Sequence, residues 1–503
     1  MKPIIDYVDA VLNSITMYRL VLYVLLTISS LALILSLLGL MSYDPVALVL
    51  SAAVLVGVSW SVNQILALLF KAQTSVEASL ITGLILFLIL KPTSDPLGLL
   101  VLVAAGVVAV APKYFFGPLR SVFNPAAIAA LTVSFLGLTS ATWWVGSKVL
   151  LPVVFVAGVL LIRKLHKFQL VGLFWLTVLA VVVVTAFIDG SDKGAAIKIA
   201  VLSGPLVFMG TVMLTEPTTL PPTRKWQWVY AVVVGLLFSV QFQLGPLDSS
   251  PELALVAGNL LGYAVSGKRR ITLRWVKTTQ LAPSLYEFIF TSNYWLKYQP
   301  GQYSEWTLSH HRPDDRGTRR FFTVASAPNG QTVRLMARIN PESMSSYKRA
   351  MLQLKAGSVV GGGKMEGDFT LPRSPDQKLG WIAGGIGVTP FVAMAEWLGQ
   401  SQQQRDVAML YTAAKPTEFL VDELWTNTPG LRLTKVVTDQ KSEGWQGETG
   451  FIDAAMLRRN VPDFKERRWY ISGPNAMVVN YRWMLIKAGV PFNQIVTDYF
   501  SGY

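Results

Sequence analysis

A chain of 503 residues, 52% hydrophobic and only 15% charged, is too long for one ordinary domain and, at a mean hydropathy of +0.43, too apolar for an ordinary soluble protein. The absence of cysteine excludes disulfides, thiolate-ligated iron–sulfur clusters and cysteine-zinc sites, and the three histidines (His166, His310, His311) lie outside the apolar stretches, which excludes a paired-histidine haem bundle; no metal centre is expected. The net charge of +14 comes from loops and from the polar half, with no basic helix or aromatic-basic ladder, so no nucleic-acid partner is expected either.

The first residues do not read as a cleavable signal, because Asp6, Asp9 and Asn13 interrupt any apolar core, and the first span is expected to stay. Apolar stretches then recur at 17–41, 46–70, 76–90, 97–111, 124–138, 148–162, 168–188, 195–214, 226–244 and 252–265, predicting a polytopic α-helical membrane domain of about ten spans over residues 1–267. Several of these stretches are shorter than a straight crossing needs, a pattern that discontinuous helices around a cofactor or ion site share with mis-set boundaries. Arg19, Lys71, Lys113 with Arg120, Arg163 with Lys164 and Lys167, Arg224 with Lys225, and 268–270 all fall on one side of this count. Asp44, Asp95, Asp189, Asp192, Asp248 and Glu252 fall on the other. The positive-inside rule then puts both termini and the polar half in the cytoplasm, as in a bacterial-type inner (cytoplasmic) membrane, with membrane lipid as surroundings.

Two loops in this half, 115–126 and 208–219, set Asn124, Thr215 and Glu216 beside prolines at helix ends. Such freed backbone and polar side chains suit a cofactor or ion, or equally a helix cap with a turn. Together with Asn63-Gln64-Ile65-Leu66-Ala67 and Ser79-Leu80-Ile81-Thr82-Gly83-Leu84, these loops resemble the membrane subunits B of sodium-translocating NADH:quinone reductase and D of the Rnf complex, over most of residues 50–265. The resemblance implies ten helices carrying electrons through membrane-embedded flavin and quinone sites, with a second flavin (FMN or riboflavin) in the membrane domain. Those subunits esterify FMN to a threonine in a short motif of which this chain keeps only part, Ser140-Ala141-Thr142-Trp143. A covalent link at Thr142 is therefore not expected, and Trp143 and Trp144 read as interfacial anchors at the outer face.

Beyond 268 the pattern changes to strand alternation, at Ile271, Leu273 and Trp275 and again at Tyr286, Phe288 and Phe290. In the stretch 319–326, Arg320 and Phe322 share one strand face and Thr323 adds a hydroxyl, a plausible seat for a flavin or an ordinary surface strand. Ser345 and Ser346 open a helix, either beneath a pyrophosphate or as simple caps. The buried strand 379–383 runs straight into Gly384-Gly385-Ile386-Gly387-Val388-Thr389-Pro390 and an apolar helix, the context in which glycines let backbone approach phosphates. Strands at 407–411, 431–437 and 468–472 follow, the last turning at Ser472-Gly473-Pro474.

Residues 271–503 resemble the ferredoxin-NADP reductase family: a flavin-binding antiparallel β-barrel (268–374) followed by an α/β nucleotide-binding domain (375–503). The resemblance implies that Arg320 binds flavin phosphate, Phe322 stacks on the ring, Thr323 bonds near its reactive nitrogen, and Ser345 with Ser346 holds the pyrophosphate. Gly384, Gly385, Gly387 and Thr389 would cradle the nicotinamide nucleotide, Gly473 and Pro474 would line the nicotinamide site, and Phe500 would cover the other flavin face. Ser472 stands where many relatives have cysteine. Thr323, Ser472 and Phe500 are thus the catalytic candidates, with no acid or base required for direct hydride transfer.

The expected function is a membrane-bound NAD(P)H oxidoreductase carrying FAD, which passes electrons into the membrane half and across it to an extracytoplasmic flavin-bearing acceptor. The alternatives are an NAD(P)H:quinone reductase with or without ion translocation, and a cytoplasmic flavin reductase merely anchored by its helices. Lys415, after the second strand of the nucleotide domain, stands where a 2′-phosphate would be met, yet NADH is the expected nucleotide.

Overall fold

The computed structural model describes residues 8–9, 11–12, 15–70, 76–115, 122–202, 204–244, 247–266, 271–314, 317–328, 330–420, 422–439 and 444–500. The chain divides into two compact units, residues 1–268 and 269–503. The expected boundary at Gly267, the basic run after it, Lys71 and Arg120 lie outside the described residues.

The first unit is helical: α1 (Met17–Leu37), α2 (Pro45–Leu69), α3 (Val76–Ile89), α4 (Pro96–Val110), α5 (Pro125–Phe135), α6 (Leu151–Leu165), α7 (Phe168–Ile188), α8 (Lys193–Leu202), α9 (Arg224–Ser239) and α10 (Pro251–Val265). One device starts four of them, a capping side chain followed by proline at the first helical position. Asp44 accepts from Ala47 N (2.9 Å), Asp95 from Gly98 N (2.8 Å), Asn124 from Ala127 N (3.0 Å) and Ser250 from Leu253 N (3.2 Å).

The packing repeats. α1 lies on α3, α2 on α3 and α4, and α4 on α5. Likewise α6 lies on the segment Leu206–Met213, α7 on α8 and α9, and α9 on α10, while α1 meets α6 and α5 meets α10. The sequence echoes this duplication in Pro92-Thr93-Ser94-Asp95-Pro96 and Pro217-Thr218-Thr219-Leu220-Pro221.

Each of the ten apolar stretches falls on a helix or a broken helix, but not all of these reach crossing length. Among the described residues four helices are long and apolar enough to cross a membrane, Met17–Leu37, Pro45–Leu69, Pro96–Phe115 and Phe168–Ile188. A fifth exists if Lys193–Leu202 and Leu206–Met213, bent by 62°, act as one. The described part of α3 has 14 residues and α5 has 11, about 21 and 16 Å of helix against a hydrocarbon core of about 30 Å. Met209–Met213 is moreover a π-helical turn, a form concentrated at functional sites.

A correction concerns Trp143 and Trp144, expected as outer anchors. Both are 4% exposed within the unit. Trp144 Nε1 donates to the Phe87 carbonyl (2.7 Å) and Trp143 Nε1 to Glu252 (2.9 Å). Trp143 adopts the left-handed conformation (φ +47°), a strained choice for a bulky side chain that these contacts enforce. Thr142 beside them is exposed.

The second unit begins with a six-stranded antiparallel sheet: β1 (Ile271–Ala282), β2 (Leu285–Ser292), β3 (Tyr303–Thr307), β4 (Arg319–Thr323), β5 (Thr332–Arg338) and β6 (Val359–Gly362), in the order β4-β3-β6-β1-β2-β5. The Ala325 amide donates to the Arg334 carbonyl (2.8 Å) and so draws the two edges together, giving the barrel form expected. The short helix α11 (Ser346–Leu352) lies between β5 and β6. A six-stranded parallel sheet follows, in the order β10-β9-β8-β7-β11-β12: β7 (Leu379–Gly384), β8 (Val407–Ala413), β9 (Leu431–Val437), β10 (Glu448–Thr449), β11 (Arg468–Pro474) and β12 (Ile495–Phe500), with helices α12 (Thr389–Gln400), α13 (Ala454–Asn460) and α14 (Asn475–Lys487). β7 is wholly buried, as its unbroken apolar run requires. Its neighbours β8 and β11 lie on opposite sides, which makes the C-terminal end of β7 the switch point where open α/β sheets bind ligands.

Candidate active site

At that switch point the glycine loop meets the turn after β11. A Cβ on Gly387 would stand 2.5 Å from Gly473 Cα and 2.6 Å from its amide nitrogen, so only glycine lets the two backbones touch. Gly385 sits at φ +52°. Thr389 is the first residue of α12 and is 2% exposed. Its hydroxyl donates back to the Ile386 carbonyl (3.2 Å), tying the loop to the helix rather than capping a free amide. Gly384, Gly385, Gly387, Thr389, Ser472, Gly473 and Pro474 are thus brought together as expected. Ser472 is fully buried, and its Oγ has no hydrogen-bond partner among the described residues. Such an atom is costly unless something outside the chain meets it.

Strand β4 divides its residues between two faces. On one, Arg320 (7% exposed) and Phe322 pack against Tyr347, at 5.2 Å from guanidinium to ring and 5.9 Å between rings. The Arg320 guanidinium also donates to the carbonyls of Gly317 (3.2 Å) and Arg319 (2.6 Å) and to Asp314 Oδ1 (3.2 Å). Burial pushes the Tyr347 phenol up, against the opposing pull of Arg320. On the other face Thr323 stands directly opposite Tyr303, whose ring meets Phe321 edge-on at 5.8 Å. Burial holds the Tyr303 phenol well above its ordinary range, reinforced by the carboxylates of Glu366, Asp498 and Asp368.

That last set joins the two sheets. Asp498 pairs in register with Ser472 on the neighbouring strand, and its charge reaches the tyrosine opposite Thr323. Thr323 lies opposite Tyr303 on the antiparallel sheet, and Ser472 lies beside Asp498 on the parallel one. The backbone of Phe500 pairs with Pro474 in the same register, while its side chain lies outside the described residues.

The two serines expected beneath a pyrophosphate are engaged by protein. Ser345 Oγ accepts from Lys348 N (3.3 Å) as the cap of α11. The Ser346 amide donates to Asp314 Oδ2 (2.9 Å), and its hydroxyl meets Asp314 N (2.8 Å) and His310 Nε2 (3.0 Å). A pyrophosphate bound there would replace the Asp314 carboxylate as the acceptor of that amide. Lys415 is exposed beyond β8, and Glu418, three residues on, pairs with Arg338 (2.7 Å) close to the glycine loop.

In the first unit Asn124 and Glu216 meet, with Asn124 Nδ2 donating to Glu216 Oε2 (2.8 Å) and Thr218 to Glu216 Oε1 (2.9 Å). The Asn124 amide donates to Asn259 Oδ1 (2.8 Å), whose Nδ2 reaches the Tyr230 hydroxyl (3.5 Å). Thr215, by contrast, spends its hydroxyl on the Thr211 carbonyl (2.7 Å). Asn259 and Tyr230 were not legible as members, since each sits alone in an apolar run. Tyr303 and Asp498 were missed as well, although a carboxylate at the C-terminal end of the last parallel strand was a usable signal. No group of three or more metal-binding side chains occurs among the described residues.

Replacing Ser472 tests the buried hydroxyl. Because no protein bond is lost, Ser472→Ala should leave stability within about 1 kcal/mol yet slow nucleotide-driven flavin reduction about tenfold. Ser472→Cys should retain most of the rate, as followed by stopped-flow absorbance.

Residues 381–482 match the oxidoreductase NAD-binding domain. The chain is similar to the glycine betaine monooxygenase reductase subunit of Chromohalobacter salexigens, 28% identical over 218 residues (41% of this chain, 57% of that protein). It is also similar to the NADH oxidoreductase HCR of Escherichia coli, 26% identical over 200 residues (39% and 58%). Among solved structures it is similar to the flavohem-like FAD/NAD-binding domain of nitric oxide dioxygenase from Vibrio cholerae, at 19% identity and a TM-score of 0.40, covering 46% of this chain and 98% of that one. The chain spans a little over half the length of these two curated relatives. The expectation of a nucleotide-binding domain of the oxidoreductase type is met over residues 381–482.

Proposed function

We propose that the chain is a membrane-bound, FAD-carrying NADH oxidoreductase that passes electrons through its N-terminal helices to a flavin-bearing acceptor on the far side of a membrane. The observation that carries the reading is the glycine cradle of Gly387 and Gly473, with the buried, orphaned Ser472 hydroxyl on the same strand end. The orphaned Ser472 hydroxyl and that cradle fit a nicotinamide, and Arg320 beside Phe322 fits the phosphate and ring of a flavin. FAD, when bound, supplies the conversion between the two-electron chemistry of NADH and one-electron steps.

The residues of this chain orient and shield. The Gly387–Gly473 contact fixes where a nicotinamide ring can lie, Ser472 offers it one hydrogen bond, and the neutral Tyr303 phenol stands opposite Thr323. NADH is the nucleotide proposed, with Glu418, just beyond the second strand and ion-paired with Arg338, as the candidate acceptor for a ribose diol.

The membrane part of the reading is supported by the apolar helices; a cytoplasmic second unit and a likeness to subunits B and D of the quinone reductase and Rnf complexes are parts of the same proposal. A second flavin, FMN or riboflavin, would be held without a covalent link at Thr142. The largely buried Asn124–Glu216–Asn259–Tyr230 network, with Glu216 half-buried, favours a second reading, quinone reduction, since it offers donors and acceptors to a quinone oxygen inside the helical unit.

The deciding experiment places the protein in liposomes with the second unit outward, NADH outside and a membrane-impermeant oxidant trapped inside. Reduction of the trapped dye supports transmembrane transfer. A trapped dye that stays oxidised while added quinone is reduced overturns it in favour of the second reading.

A further inference from the structure

Helix α12 carries the glycine loop at its start and Glu396 two turns further on. Its residues 389–395 and Leu398 are buried, whereas Glu396 turns toward the antiparallel sheet. There Glu396 Oε2 accepts from the Ala327 amide (2.9 Å) and from the Arg334 guanidinium. Arg334, on β5, also donates to the Ala325 carbonyl (3.2 Å) and to Glu287 Oε1 (3.4 Å), and its own amide donates to Ser326 Oγ (3.2 Å). Gln400 braces the other Glu396 oxygen (3.2 Å). The Tyr298 hydroxyl donates to the carbonyls of Ser326 (3.0 Å) and Ala327 (3.1 Å).

Residues 324–327 continue directly from Thr323, and all four are buried. A charge-assisted bridge therefore joins the segment that ends the flavin strand to the helix that begins at the glycine loop, about 13 Å along the helix from Gly387. Arg338, also on β5, makes a second ion pair to Glu418 (2.7 Å), but that one reaches the turn after β8 and not α12.

We propose that Glu396 and Arg334 are a positioning pair that fixes the glycine loop against the flavin strand, and so the approach of nicotinamide to Thr323. This rests on the oxidoreductase reading above. Neither side chain touches the reacting atoms. Their role is to hold two rigid elements at one spacing, on which transfer depends steeply.

The test uses the full chain in detergent. Glu396→Ala, which removes both the acceptor and the charge, should lower the rate of flavin reduction at saturating NADH at least tenfold, with KM for NADH changed less than twofold. The deuterium isotope effect from 4-deuterated NADH should rise, because transfer becomes slower than release. Glu396→Gln keeps an acceptor for Ala327 N and should fall between, as should Arg334→Lys. Amide exchange of 324–328 and 384–390 should accelerate together in Glu396→Ala.

Unchanged exchange in both segments, or a raised KM with an unchanged saturating rate, overturns the proposal. If the unsubstituted protein itself shows no NADH-driven bleaching, the oxidoreductase reading fails, and the paired exchange still decides whether the bridge couples the two segments.

Discussion

Gly387→Ala should cut NADH-driven flavin reduction by about 100-fold, roughly 2.7 kcal/mol of barrier, while FAD content stays at the level of the unsubstituted protein. The added Cβ would overlap the Gly473 backbone, at 2.5 Å from Cα and 2.6 Å from N, and backbone on both sides leaves no flexible side-chain end to yield. The loop and the turn after β11 must therefore separate, which displaces the nicotinamide cradle and the buried Ser472 hydroxyl together. Arg320 and Phe322 lie on the antiparallel sheet and are untouched, so flavin should still bind. Stopped-flow bleaching of the flavin with NADH, and reduction of the same samples by dithionite, separate the two effects. A variant that bleaches with NADH at the original rate would mean that the Gly387–Gly473 contact does not set the nicotinamide position.

Punctuation made the nucleotide loop legible: a buried strand, glycines and an apolar helix with proline in its first turn leave one arrangement open, and β7, the loop and α12 take it. Ser345 is the local cap that the sequence offered, whereas Ser346 was less legible because its partners lie far away in sequence. Asp314, 32 residues from Ser346, takes both its amide and its hydroxyl, which no local pattern announces. In the helical unit the apolar runs located the helices to within a few residues. The runs at 76–90, 124–138, 148–162 and 252–265 were already shorter than a full crossing, and the bend before the π-helical turn divides the run at 195–214. Trp143 and Trp144 were misplaced by a general tendency. Adjacent tryptophans at a helix-poor junction suit a membrane interface on average, whereas here a carboxylate and a carbonyl inside the unit supply their hydrogen bonds.

The largest expected effect on stability lies at the opposite end of the parallel sheet. Arg467 is fully buried just before β11 and holds Asp406 (2.9 and 3.0 Å), Asp463 (2.8 and 2.7 Å) and the Leu379 carbonyl (3.0 Å), tying the starts of β7, β8 and β11 together. Arg467→Ala should cost about 3 kcal/mol, the lower end for a broken buried ion pair because both aspartates keep some contact with water. The transition of this lobe in a calorimetric scan of the full chain should then fall by roughly 6–12 °C. Burial raises the Asp463 carboxyl, but the bonds from Arg467 and Lys378 outweigh it and hold the folded value below the usual aspartate range. A depressed carboxylate contributes stability that is present at neutral pH and lost as pH falls through its folded value. The unsubstituted protein should therefore lose stability steeply below about pH 4, and the variant, its Asp463 relieved of one cation, should lose less over the same interval. Because the site lies at the other ends of the strands, the variant that remains folded at room temperature should reduce flavin with NADH at nearly the original rate. A matching fall in that rate would mean that the two ends of the sheet are coupled.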